Sequence, residues 1–206
     1  ARDIADIRKA YSSAYEYAYR VWVRENYRYV SAEERLNHML KELQIELPKP
    51  LKEKVVMQFE EIILSKPPPL IEGVKETLTS LHEKFKLGII CDSGITPGRI
   101  VRIVLKKAQI LKFFKSTVFS DEVGFNKPHR IIFEKALKDL DVNPPEAIHI
   151  GDLIHTDIIG AKLIGMKAVW IRRKSKNFSE TGHPAYYQPD FEITNISQII
   201  EILNNV

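Results

Sequence analysis

Beyond Pro67-Pro68-Pro69 the chain alternates short apolar runs with helical stretches, and this alternation restricts the fold more than any other feature. Leu87-Gly88-Ile89-Ile90-Cys91, Thr117-Val118-Phe119, Ala147-Ile148-His149-Ile150, Ala168-Val169-Trp170-Ile171 and Phe191-Glu192-Ile193 read as strands. Helices are expected between them at about 73–84, after Thr96-Pro97, at about 128–139 and from Asp157 to Ile164, with a last one at about 196–203. Short apolar strands separated by helices are buried on both faces. They call for a parallel sheet with right-handed crossovers. Ligands of such sheets gather at the carboxyl ends of the strands.

Ahead of the prolines everything reads as helix. Ile4, Ile7, Tyr11, Ala14, Ala18 and Val21 recur at helical spacing over about residues 3–25. Ser31 with Glu34 is a capping-box pair, followed by the apolar stripe Leu36, Met39, Leu40 and Leu43. A third helix at about 50–64 turns Val55, Val56, Phe59, Ile62 and Ile63 inward. Tyr11, Tyr15 and Tyr19 fit packing between these helices better than the wall of a pocket. The expected fold class is therefore α/β: an all-α helical unit over residues 1–68 and a Rossmann-like parallel-sheet core over residues 69–206.

Composition excludes several functions. Cys91 is the sole cysteine, so neither an internal disulfide nor a cysteine-based zinc site can form, which suits a reducing, cytoplasmic setting. No apolar stretch reaches the roughly 18 residues that span a bilayer, so no membrane partner is expected. The net charge is +4, from 31 basic and 27 acidic residues. The longest basic run, Arg172-Arg173-Lys174 followed by Lys176, has no interleaved aromatics, and no nucleic acid is expected as a partner. A mild positive charge favours a phosphorylated small molecule. No sequence feature fixes an oligomeric state.

Three strand exits carry the candidate chemistry. The strand ending at Ile150 leaves through Gly151-Asp152-Leu153-Ile154-His155-Thr156-Asp157, with two carboxylates five residues apart. Hard oxygen ligands at a sheet edge suit Mg²⁺; a turn aspartate and a first-turn helix acid explain the pair equally well. The strand at 117–119 leads to Lys127-Pro128, where an ammonium could neutralise phosphate charge. Cys91, Asp92 and Ser93, with Gly94, form a turn able to hold phosphate oxygens through backbone N–H groups, or simply a polar turn.

Together the runs LGIICDSG, VFSDEVGFNKP and AIHIGDLIHTDIIGAKLIGMKAVWI resemble the haloacid dehalogenase-like hydrolase superfamily, in its phosphoglycolate phosphatase-like subgroup with a helical cap. The resemblance implies a Mg²⁺-dependent phosphohydrolase acting on a small-molecule phosphate ester through an aspartyl-phosphate. It makes Asp152 a Mg²⁺ ligand, Asp157 a second acid supporting the metal, and Lys127 a catalytic and phosphate-balancing group. Cys91, Asp92 and Ser93 would bind the phosphoryl group, and residues 1–68 would form the cap that selects the substrate. A phosphomutase, a dehalogenase and an inactive binding or regulatory protein are the alternatives on the same fold.

Two features depart from the pattern. The family's D-x-D-x-T nucleophile motif is missing; Asp139-Leu140-Asp141 follows a helix, not a strand. The motif's strand would lie between those ending at Cys91 and Ile150, so residues encoded ahead of Ala1 are expected to supply it. Cys91 stands where the family usually has threonine or serine, and a thiol is a weaker donor.

Overall fold

The computed structural model describes residues 3–173 and 188–205. Lys174 and Lys176 of the basic run lie outside the described residues. The chain divides into two compact units: Ala1–Pro68 with Cys91–Leu105 and Phe119–Asn126, and Pro69–Ile90 with Lys106–Val118 and Lys127–Val206.

The first unit is built on helices α1 (Ile4–Arg24), α2 (Ala32–Leu43) and α3 (Lys49–Glu61). Asp3 starts α1 by accepting from the Ala5 N–H, and Ser31 starts α2 by accepting from the Glu34 N–H. The Glu34 side chain does not complete the capping box; it turns to Arg28. The buried face of α1 is Ala10, Ala14, Ala18 and Val21. Ala14, Ala18 and Val21 are buried as expected, but Ala10 joins them in place of Ile4, Ile7 and Tyr11, of which Ile4 is 65% and Tyr11 50% exposed. Alanines at spacings of four let the backbones of α1 and α2 approach closely, which bulky residues on that face would prevent. α3 buries no residue completely, but Val55, Val56, Phe59 and Ile63 of the expected inward stripe are half-buried and Phe59 packs against Ala10, Ala14 and Met39, while Ile62, in the turn after α3, is exposed. The loop between α1 and α2 is tied to residues 124–126. The Tyr29 N–H donates to the Gly124 carbonyl (2.9 Å), and the Asn126 N–H to the Tyr27 carbonyl (2.8 Å).

The second unit holds α4 (Val74–Leu81), followed by strand β1 (Leu87–Cys91), whose last residue belongs to the first unit. Helix α5 (Gly98–Lys107) and strand β2 (Phe114–Phe119) also pass between the two units, and the short helix α6 (Ser120–Val123) lies in the first. Then come α7 (Arg130–Leu140), β3 (Ile148–Gly151), a π-helical turn at Ile154–Ile158, α8 (Ile159–Leu163), β4 (Lys167–Ile171), β5 (Phe191–Ile193) and α9 (Ile199–Asn204). The Lys-Pro step does not open α7: His129 caps it and the helix starts at Arg130.

β3, β4 and β5 form a parallel sheet with Gly151 opposite Trp170, while β1 and β2 form a separate two-stranded sheet. The expected single sheet is thus divided between β1 and β3. Leu81, Val169, Ile193 and Ile199 form the core beneath, with Leu87 of β1 and Ile148 and Ile150 of β3 packed against it. Gly160 allows Phe133 and Pro128 to lie against its α-carbon.

The small-residue face of α1 sets a stability expectation. Ala10→Leu should destabilise the protein by about 1–3 kcal/mol through overpacking. Ile4→Ala, at an exposed position, should change stability by less than about 0.5 kcal/mol. Chemical denaturation of both variants makes the comparison, and equal effects would contradict the α1 orientation.

Candidate active site

In the second unit the chemistry converges on Asp157. The β3 strand ends at Gly151, and the π-helical turn returns the chain so that Asp157 lies directly on the Gly151 α-carbon. A methyl group there would overlap the Asp157 carboxyl group, so glycine is required by close approach. Asp157 is 3% exposed. Its Oδ1 accepts from Lys127 Nζ (2.7 Å) and from His149 Nε2 (3.2 Å), and its Oδ2 from the Leu153 N–H (3.0 Å). Lys127 Nζ also donates to the Ile90 carbonyl at 3.4 Å, so the ammonium spans from the end of β1 to the acid beside β3. The His149 ring is fixed edge-on against Phe133.

Electrostatics explains why this carboxylate stays charged. Burial alone would raise its pKa. The His149 hydrogen bond, the Lys127 charge and the Lys127 hydrogen bond outweigh burial and hold it well below the usual carboxylate range.

Asp152 lies differently. Its side chain is 24% exposed, with Arg173 Nε 3.5 Å from Oδ2. The parallel register sets the β3 and β4 exits side by side, and Trp170 Nε1 donates to the Asp152 carbonyl (3.3 Å). Among the described residues no three His, Cys, Asp or Glu side chains converge as a complete metal cage. The donor set still fits Mg²⁺, which needs only one or two protein carboxylates and keeps several waters. Asp152 offers a partly exposed carboxylate beside Arg173, while both Asp157 oxygens are engaged within the protein.

In the first unit, Ser93 is held by residues just after β2. Its N–H donates to Ser120 Oγ (2.9 Å), its hydroxyl donates to the Asp121 carboxylate, and Asp121 also accepts from the Gly98 N–H (3.0 Å). Ser93 is buried, and Cys91 and Asp92 are half-buried. With its hydroxyl proton directed at Asp121, Ser93 contributes a rigid turn more than a free donor. The sequence reading brought Lys127 and Asp157 to one place. It assigned nothing to His149, Ser120 or Asp121, although the Ser-Asp-Glu run at a strand exit was a visible signal for the last two.

Removing the Asp157 charge leaves Lys127 uncompensated, so Asp157→Asn should lose about 3–5 kcal/mol at neutral pH. Because the folded pKa is depressed, the contribution of Asp157 is complete above the unfolded value of about 3.9 and disappears as pH falls toward the folded value. The stability gap between wild type and Asp157→Asn should therefore narrow below about pH 4. Urea titrations at neutral and acid pH measure it, and a pH-independent gap would contradict this charge balance.

Comparison with known proteins gives the family of the chain. The haloacid dehalogenase-like hydrolase family profile matches residues 4–171. Glyceraldehyde 3-phosphate phosphatase of Pyrococcus furiosus is 38% identical over 136 residues, 65% of this chain and 54% of that protein. Pyrophosphatase PpaX of Anoxybacillus flavithermus is 36% identical over 133 residues, 64% of this chain and 59% of that protein. The chain thus spans a little over half the length of these curated relatives. Among solved structures, a haloacid dehalogenase-type phosphatase from Thermococcus onnurineus superposes with a TM-score of 0.63 at 25% identity, over 97% of this chain and 89% of that one. With a profile match over most of its length, the chain belongs to the haloacid dehalogenase-like hydrolases.

Proposed function

We propose that the protein hydrolyses a small phosphorylated metabolite with Mg²⁺ through an aspartyl-phosphate. The observation that carries this reading is the buried Lys127–Asp157 pair at 2.7 Å, braced by His149 at the end of β3. A lysine held in a dry setting by one acid is a fixed positive charge, and such a charge stabilises the charge that develops on a transferring phosphoryl group. Asp157 acts as the positioning residue for Lys127. Asp152 is the carboxylate for Mg²⁺, which when bound supplies further charge neutralisation.

The sheet edges favour a nucleophile delivered on a strand. Among the described residues β1 and β3 are each hydrogen-bonded to a strand on one side only. All four β3 residues are half-buried, whereas Ala168 and Val169 of β4 are fully buried. A further strand along these edges would bring an aspartate near Lys127, which already reaches the Ile90 carbonyl. That aspartate would attack phosphorus and expel the alcohol, and water would then release phosphate from the acyl phosphate. Relatives described as phosphatases and as a pyrophosphatase support hydrolysis of a phosphate bond.

Phosphate release by the full-length gene product, assayed over a panel of phosphate esters, tests the reading. Turnover should need Mg²⁺ and stop with a chelator, and Asp152→Asn should raise the Mg²⁺ concentration required. Lys127→Met should lower kcat by roughly 10²–10³-fold. Undiminished turnover in chelator, or full activity in Lys127→Met, would contradict it.

A further inference from the structure

Two helices of the first unit bring a serine, a histidine and a glutamate to one point, and none of the three has a part in the chemistry above. His38 and Glu42 stand four positions apart on α2, so both side chains project from one face of the helix. Ser13 of α1 meets them. Its Oγ is 3.0 Å from His38 Nε2, and its hydroxyl donates to Glu42 Oε1 at 2.6 Å. His38 Nε2 and Glu42 Oε1 are 3.6 Å apart.

Donor atoms around a metal ion are spaced in this way. Ligands about 2.1 Å from a divalent transition ion stand roughly 3.0–3.4 Å from one another in octahedral or tetrahedral order. The separations of 2.6, 3.0 and 3.6 Å bracket that spacing. A point about 2.1 Å from all three atoms therefore exists without moving any of them.

The His38 ring is held in place beforehand. Tyr17 stacks on it, with centroids 4.7 Å apart and planes 11° from parallel, and the Tyr17 hydroxyl donates to Glu34 at 2.6 Å. A ligand already fixed loses less freedom on binding. Solvent reaches the cluster, since the His38 side chain is 20% and that of Glu42 40% exposed. Glu42 also lines a cavity of about 470 Å³, together with Asp6, Lys9 and Gln44. At about 30 Å³ for each water, that volume lets an ion arrive hydrated.

Ligand chemistry selects the ion. An imidazole nitrogen beside a carboxylate suits Zn²⁺, Ni²⁺ or Co²⁺, whereas Mg²⁺ and Ca²⁺ favour oxygen ligands. We propose that Ser13, His38 and Glu42 form a site for a divalent transition metal ion that ties α1 to α2. Neutral His38 ligates through the Nε2 lone pair with its proton on Nδ1, Glu42 through Oε1, and Ser13 through its intact hydroxyl. Water completes the shell. The site lies within the first unit and is independent of the phosphohydrolase reading.

Calorimetric titration of the full-length gene product with Zn²⁺, in excess Mg²⁺ to fill sites built of oxygen alone, tests the proposal. His38→Gln and Glu42→Gln should each weaken Zn²⁺ binding at one site by roughly 10-fold or more, a difference of about 1.4 kcal/mol or greater. Ser13→Ala should weaken it less, and Asp152→Asn should leave that site unchanged. Circular dichroism establishes that each variant is folded. A second measurement needs no substitution: paramagnetic Co²⁺, added in small amounts to the wild-type protein, should broaden the NMR signals of His38 and Ser13 first. Zn²⁺ binding that is absent, or that a folded His38→Gln or Glu42→Gln leaves unchanged, would overturn the proposal. So would Co²⁺ broadening that begins at another histidine.

Discussion

The second unit is organised around one buried ion pair. Lys127 and Asp157 are nearly sealed from solvent, and removing either from water carries a large penalty that the other must offset. The pair forms only because several elements agree. Gly151 has no side chain to block the carboxyl group, and a π-helical turn brings Asp157 back to the strand end. His149 and the Leu153 N–H satisfy the remaining acceptor capacity. Such turns are rare and gather at functional sites. Here the turn delivers an acid to a strand end while the following residues continue into α8.

The first unit solves a different problem with small side chains. Alanines on α1 permit close approach to α2, and Tyr11, Tyr15 and Tyr19 of the same helix are left outside. Two of those tyrosines, with Arg35, then surround a small cavity adjoining the Ser93 turn. Asp121 fixes that turn by accepting from Ser93 and from the first residue of α5. Rigidity there comes from side chain to backbone bonds near one strand exit, not from a regular element.

Much of the fold was legible in the sequence because its signals are local. Short, mainly apolar runs marked the strands of the second unit, and the Ser31 cap marked the start of α2. Periodicity found Ala14, Ala18 and Val21 on the buried face of α1 but added Ile4, Ile7 and Tyr11, which are exposed, and passed over Ala10. Hydrophobicity ranks a tyrosine above an alanine, whereas close packing prefers the alanine. Lys127 and Asp157 were legible as candidates, but they stand thirty positions apart and their mutual contact depends on the chain between them folding. His149 carried no local signal, because its role arises from the register that sets it eight residues before Asp157 and against Phe133.

The most direct test of this account is a double-mutant cycle on Lys127 and Asp157, using Lys127→Met, Asp157→Asn and the combination, read by chemical denaturation. If the pair organises the strand ends, each single change leaves a buried charge or dipole unmatched and the double change relieves it. A coupling of about 1–3 kcal/mol is then expected. Losses that add to within about 0.5 kcal/mol would show that the two groups act independently and would contradict the account.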